Sequence, residues 1–176
     1  MRSARTERNT RIEILSKDHN IYGFVSSNAE LNEYFLEDAL EDTLNKTAIT
    51  HVLVDEDDKI VGFFTLLNGM IKCQDIEEND RIVGFDHAST PALKIGRLST
   101  HRDHECEGYG TEMIACSFRY LFNILRYSGC KVMIVDSKKG SEGSYERFRF
   151  KSIEKRKDDF TSMYIDIGQF LKEQQH

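Results

Sequence analysis

The apolar positions of this chain alternate at first and then take up helical spacing. Thr10–Leu15 (TRIEIL) alternates polar and apolar side chains, which predicts a half-buried first strand. Leu31, Phe35, Ala39 and Leu40 fall on one face of a helix that runs to about Leu44. Ser27, with Glu30 three residues on, reads as the capping box that opens this helix. Ala48–Val54 (AITHVLV) and Lys59–Lys72 are rich in β-branched and aromatic residues around the turn Asp55–Asp58, which predicts a hairpin. Cys73–Thr90 is polar and irregular apart from the apolar stretch Ile82–Phe85, and Pro91 precedes a strand at Ala92–Thr100 (ALKIGRLST). Met113, Ile114, Phe118, Leu121, Phe122 and Leu125 mark a second helix, with Gly129 just past its end. The unbroken apolar run Cys130–Asp136 (CKVMIVD) has the character of a central or parallel strand. A short helix near Glu142–Phe148 and strands near Ser152–Arg156 and Thr161–Ile167 complete the pattern. A hairpin half followed by a strand–loop–helix–strand half predicts an α/β or α+β chain with a mixed sheet.

Composition narrows the class. The 176 residues suit one domain with its own core, and 39% hydrophobic against 31% charged residues is a globular balance. No apolar run approaches the ~20 residues that span a bilayer, and the first residues lack the apolar stretch of a secretory signal. A membrane-spanning chain is thereby excluded. Four cysteines (Cys73, Cys106, Cys116, Cys130) form no CxxC pair, and the six histidines show no ligand spacing, so no metal site is expected. Free thiols without a signal point to a reducing, cytoplasmic setting. The net charge is −6, but Arg2, Arg5, Arg8 and Arg11 against Glu7 give residues 1–11 a local +3, leaving −9 on the remainder. Residues 1–11 read as a flexible basic arm, and the acidic body disfavours nonspecific nucleic-acid binding.

The segment that carries chemistry is a strand, a glycine-bearing loop and a helix. Leu98, Ser99 and Thr100 end the strand; Glu105, Cys106, Glu107, Gly108, Tyr109 and Gly110 form the loop; Thr111 leads into the helix. A loop feeding a helix N-terminus presents unpaired N–H groups and the positive end of the helix dipole, the combination that cradles phosphate. Gly108 and Gly110 let a ligand approach the main chain with no Cβ in the way. By spacing alone the same segment reads equally well as an ordinary tight turn.

This loop resembles the acetyl-CoA loop (Gln/Arg-x-x-Gly-x-Gly/Ala) of the GNAT family of N-acetyltransferases. Val52–Leu66 is similar to the family's second and third strands, Ala92–His101 to its fourth, and Ser144–Phe150 (SYERFRF) to its Phe-Tyr-x-x-x-Gly-Phe segment. The likeness runs from about Asn28 to Ile167. Phe24–Asp42 together with GRLST resembles the subgroup that contains toxin-type acetyltransferases. Three departures stand out: Glu105 where the family has Gln or Arg, Cys106 for a common glycine, and Arg149 for the glycine of Gly-Phe. Glu105 and Glu107 set carboxylates beside a pyrophosphate, and His101, Arg102 and His104 are available to offset them.

The resemblance implies one acetyltransferase domain over residues 1–176. It implies a mostly antiparallel, twisted sheet of six to seven strands flanked by helices and splayed between its fourth and fifth strands. It implies an enzyme that moves an acetyl group from acetyl-CoA to a primary amine. The backbone of Leu98–Thr100 would pair with the pantetheine arm, and amides from Glu105 to Thr111 would hold the pyrophosphate. Tyr145, aligned with the family's tyrosine, would protonate the leaving thiolate. Glu77, Glu78, Asp136 and His101 are all candidates for the base, with none singled out. Cys106 is either a reactive thiol at a helix N-terminus or a small residue tolerated in the loop. The acceptor is a small molecule or a protein. A toxin-type version would acetylate an aminoacyl-tRNA, which the acidic body disfavours, and would have an antitoxin partner. A module that binds CoA or a partner without turnover is the third alternative, and a homodimer is left open. The acidic Asp75, Glu77, Glu78 and Asp80 suit a cationic amine or, equally, a solvated loop.

Overall fold

In the hairpin that opens the sheet, the acidic turn builds itself. Asp55 Oδ1 accepts the amides of Asp57 and Lys59, the Asp55 amide donates to the Lys59 carbonyl, and Asp58 takes a left-handed φ of 62°. Short polar side chains tolerate that conformation and bond locally, which is why such residues make turns. The computed structural model describes residues 9–81, 87–153, 159–168 and 171. Its elements are β1 (Arg11–Ile14), α1 (Ala29–Glu37), α2 (Ala39–Asn45), β2 (Ile49–Val54), β3 (Ile60–Lys72), β4 (Ser89–Thr100), α3 (Tyr109–Ile124), β5 (Val132–Lys138), α4 (Glu142–Glu146), β6 (Lys151–Ser152) and β7 (Phe160–Asp166). Among the described residues the strands form a seven-stranded sheet in the order β1-β2-β3-β4-β5-β7-β6. The mixed, mostly antiparallel sheet expected from the sequence is the one found. β5 is its parallel member, with Ala92 opposite Val132 through Ile95 opposite Val135, while β7 lies antiparallel on β5's other side. Leu98–Thr100 lies beyond the β4–β5 register.

The chain divides into two compact units, Met1–Thr65 with Arg97–Met113 and Leu66–Gly96 with Ile114–His176. In the first, α1 and α2 bury Phe35 and Ala39 among Leu15, Phe24, Val52, Val54, Ile60 and Phe63. Phe35 stacks on Phe63 at 4.4 Å, and Phe24 meets both rings edge-on. Each such ring contributes roughly 1.5–3 kcal/mol by burial alone. Two expectations change here. Asn28, not Ser27, caps α1, its Oδ1 accepting the Leu31 amide. The expected single helix is also two. Asp38 (φ −109°) bends the chain between α1 and α2, and Thr43 Oγ1 then reaches the Thr50 amide in β2. Satisfying a buried strand amide outweighs a straight helix. Of the basic arm, residues 1–8 lie outside the described residues, while Arg11 already belongs to β1 and pairs with Glu13 and Asp58.

In the second unit Ile71, Ile76, Ala92, Val132 and Tyr164 form a core cluster. β4 starts three residues earlier than expected and contains Pro91 at an exposed position. α3 ends at Ile124, and a turn through Ser128 separates it from Gly129, so that glycine does not terminate the helix. The Cys73–Thr90 connection contains two single 3-10 turns, Cys73–Asp75 and Glu78–Asp80, before β4 begins. Its apolar stretch Ile82–Phe85 lies outside the described residues, as do residues 154–156 of the expected Ser152–Arg156 strand.

Candidate functional site

The loop after β4 belongs to the first unit. The His101 amide donates to the Val61 carbonyl at 2.8 Å, and the Arg102 amide to the Val25 carbonyl at 2.9 Å. These bonds fix where the chain leaves the strand. A 3-10 turn at Arg102–His104 follows, with His101 Nδ1 accepting the Asp103 amide. Cys106 (φ 63°) and Gly108 (φ 93°) are both left-handed, and the Glu112 amide closes the first turn of α3 on the Gly108 carbonyl. The opening amides of α3, at Gly110 and Thr111, have no partner within the helix, because the first N–H groups of a helix lie ahead of its bonding ladder. Left-handed residues at Cys106 and Gly108 ahead of the N-terminus of a 16-residue helix are features that anion-binding nests share.

Gly110 is the informative glycine. Its φ is not left-handed, and a Cβ built on it would come no nearer than 3.9 Å to Leu98 or Thr100. Neither backbone conformation nor internal packing requires glycine there. A Cβ there would rest in ordinary van der Waals contact with Leu98 and Thr100, at the start of α3.

The side chains around the nest are mainly paired with one another. Of the side chains expected to offset Glu105 and Glu107, His104 faces Glu107 at 3.4 Å, while Arg102 and His101 face Asp103 at 3.5 and 3.9 Å. Glu105 and the Cys106 thiol are exposed, and Tyr109 is buried with its ring edge-on to His104. Leu98 and Thr100 are half-buried and Ser99 is buried.

Tyr145 belongs to the second unit, and its position follows from how α4 ends. The Phe150 amide donates to the Tyr145 carbonyl and the Arg149 amide to the Glu146 carbonyl. This crossed pair is the Schellman motif, and its usual hydrophobic contact is present, the Tyr145 and Phe150 rings meeting at 5.6 Å. The motif needs a left-handed residue where glycine is usual, and Arg149 supplies it at φ 67°. Two of the three departures from the family pattern, Cys106 and Arg149, therefore sit at left-handed positions. Tyr145 is buried, and desolvation pushes its phenol up to about 12.

The candidate bases are differently placed. Glu77 is bound at 2.8 Å by Lys151, which also binds Asp80 at 2.8 Å, and Tyr164 donates to Asp80 and accepts the Glu77 amide. Those carboxylates hold the Lys151 ammonium well above the usual lysine range. Asp136 accepts from Lys94 at 2.7 Å and from Ser162 at 2.6 Å. Glu78 is exposed in its turn. Sequence reasoning missed the Lys151–Asp80–Tyr164 cluster because its members lie 71 and 84 positions apart. Among the described residues no group of His, Cys, Asp and Glu could hold a metal ion, and no helix is long and apolar enough to cross a membrane.

No family model and no curated protein matches the chain. Solved structures do. The chain is similar to AtaT complexed with acetyl-methionyl-tRNAfMet at a TM-score of 0.83 and 15% identity, over 93% of this chain and 98% of that one. A tyrosine-to-phenylalanine mutant of KacT gives 0.83 and 15%, over 94% and 99%. The corresponding type of mutant of the toxin AtaT, bound to the C-terminus of the antitoxin AtaR and acetyl-CoA, gives 0.74 and 15%, over 95% and 99%. The likeness is one of fold: the chain shares the architecture of these proteins over nearly its whole length.

Proposed function

We propose that this protein is an acetyl-CoA-dependent N-acetyltransferase that acts on a primary amine. The observation that carries the reading is the loop at Glu105–Thr111, where left-handed Cys106 and Gly108 lead into the N-terminus of α3 and Gly110 leaves its first turn without a side chain. The amides of that loop suit a pyrophosphate, and the backbone of Leu98–Thr100 suits the pantetheine arm. Acetyl-CoA supplies the activated acyl group as a thioester.

The remaining chemistry concerns two protons. The amine must be neutral to attack, which favours an α-amine, titrating near ~8, over a lysine near ~10.4. Glu77 and Asp136 are each held by a lysine, so an acceptor that needs little help from a base suits these surroundings. Tyr145 is the proposed acid. Its phenol at about 12 stays protonated at working pH. Full transfer to a thiolate near ~8.5 would be uphill by about 5 kcal/mol, so donation must accompany loss of the amine's proton. The tyrosine-to-phenylalanine mutants among the similar structures agree with substituting this residue first.

A second reading, the α-amine of an aminoacyl-tRNA with an antitoxin as protein partner, draws support from the AtaT structures. The −9 body opposes it. The test is thermal-shift stabilisation by acetyl-CoA followed by thiol release with a panel of amines that includes aminoacyl-tRNA. Turnover should fall about 10²–10⁴-fold in Tyr145→Phe while acetyl-CoA affinity holds. Stabilisation with no thiol release across the panel would instead favour a binding module without turnover, as the exposed Glu105 and Cys106 would suggest.

A further inference from the structure

Ser26 and Ser99 lie 73 positions apart in the sequence, yet their buried hydroxyl oxygens approach to 2.7 Å within the first unit. Ser26 Oγ also accepts the Asn28 amide at 3.1 Å, at the cap of α1, and the Ser26 amide donates to Asn32 Oδ1 at 2.9 Å. Ser99 Oγ donates to the Thr100 carbonyl at 3.4 Å. A hydroxyl has one proton, and either oxygen of the serine pair can be the donor. When Ser99 gives its proton to Thr100, Ser26 donates to Ser99, and the contacts form a relay from the Asn28 amide through Ser26 and Ser99 to the Thr100 carbonyl.

That carbonyl belongs to the peptide whose N–H, on His101, is held by Val61 at 2.8 Å. The last peptide of β4 is thus gripped at both ends. We propose that Ser26 is a positioning residue for the acyl donor, acting through Ser99 to orient the main chain of Leu98–Thr100 against the pantetheine arm. The inference rests on the acetyl-CoA reading above. It assigns to the segment before α1 a part in donor binding that its own contacts with the nest would not reveal. The nest amides at Glu105–Thr111 stand outside the relay, so the pyrophosphate end of the donor should be indifferent to Ser26.

Calorimetry with acetyl-CoA and with 3′-phosphoadenosine 5′-diphosphate, which keeps the pyrophosphate and lacks the pantetheine arm, tests this on the full chain. Ser26→Ala should weaken acetyl-CoA about 3–10-fold, the scale of one hydrogen bond, and leave the armless nucleotide unchanged. Ser99→Ala should show the same selective loss, and the double variant should be no weaker than Ser99→Ala alone. Because Ser99→Ala removes the same relay from the strand side, it carries the test if Ser26→Ala fails to fold. Equal weakening of both ligands would mean general loosening and overturn the proposal, as would additive losses or unchanged acetyl-CoA affinity. A wild-type protein that binds neither ligand would overturn the donor reading itself, and the relay's role with it.

Discussion

The left-handed Arg149 offers a measurement that isolates backbone strain from side-chain loss. At φ 67° an L-residue carries a penalty of about 1–2 kcal/mol that glycine does not. Glycine gives part of this back, because its unfolded chain has more freedom, by roughly 0.5–1 kcal/mol. Comparing Arg149→Gly with Arg149→Ala cancels everything the arginine side chain does, since both variants lack it. The difference should favour glycine by about 0.5–1 kcal/mol. For a chain of this size that is a melting-temperature gap of about 1–4 °C. Urea unfolding of the two variants, read as midpoints at a common slope, is the assay. The gain should register in near-ultraviolet signals from Tyr145 and Phe150 too, since the same Schellman bonds hold both rings. Alanine as stable as glycine at this position would refute the strain argument, and with it the reason given for the glycine usual in that motif.

Other outcomes follow from the same geometry. Gly110→Val should fold normally, because its Cβ meets nothing closer than 3.9 Å, yet abolish acetyl-CoA binding in calorimetry by placing a branched side chain in the first turn of α3. Unchanged affinity would remove the nest assignment. His51 is buried and stacked on Phe64 at 4.9 Å, and desolvation lowers its pKa from the ordinary 6.5 to about 4. The unfolded chain therefore takes up a proton below pH 6.5 that the folded chain refuses until about pH 4. The stability from neutral His51 is full above pH 6.5 and is lost as pH falls toward 4, by about 3 kcal/mol in all. His51→Phe should flatten that limb of the pH–stability curve; an unchanged limb would assign acid sensitivity to other groups.

The sequence by itself determined the elements whose side-chain periods are local. Alternation in Thr10–Leu15, the β-branched runs of the hairpin and the unbroken apolar run of β5 are printed along the chain, and the sheet follows them. The strand, glycine-bearing loop and helix around α3 were legible as well, because they depend on a few adjacent residues, whereas Tyr145 was singled out only through the resemblance of SYERFRF. Tertiary structure decided the rest. The cap of α1 falls on Asn28, whose own amide is held by a Ser26 hydroxyl in contact with Ser99, 73 positions away, and Thr43 at the end of the broken helix meets the Thr50 amide of β2. The left-handed Cys106 and Arg149 carry no propensity signal, since neither residue type favours that conformation and only the surrounding bonds impose it. The acidic connection read as a solvated loop or a cation-seeking surface is instead anchored by Lys151 and Tyr164. A sequence records what each residue prefers, but which distant donor reaches a buried acceptor is settled only when the strands lie side by side.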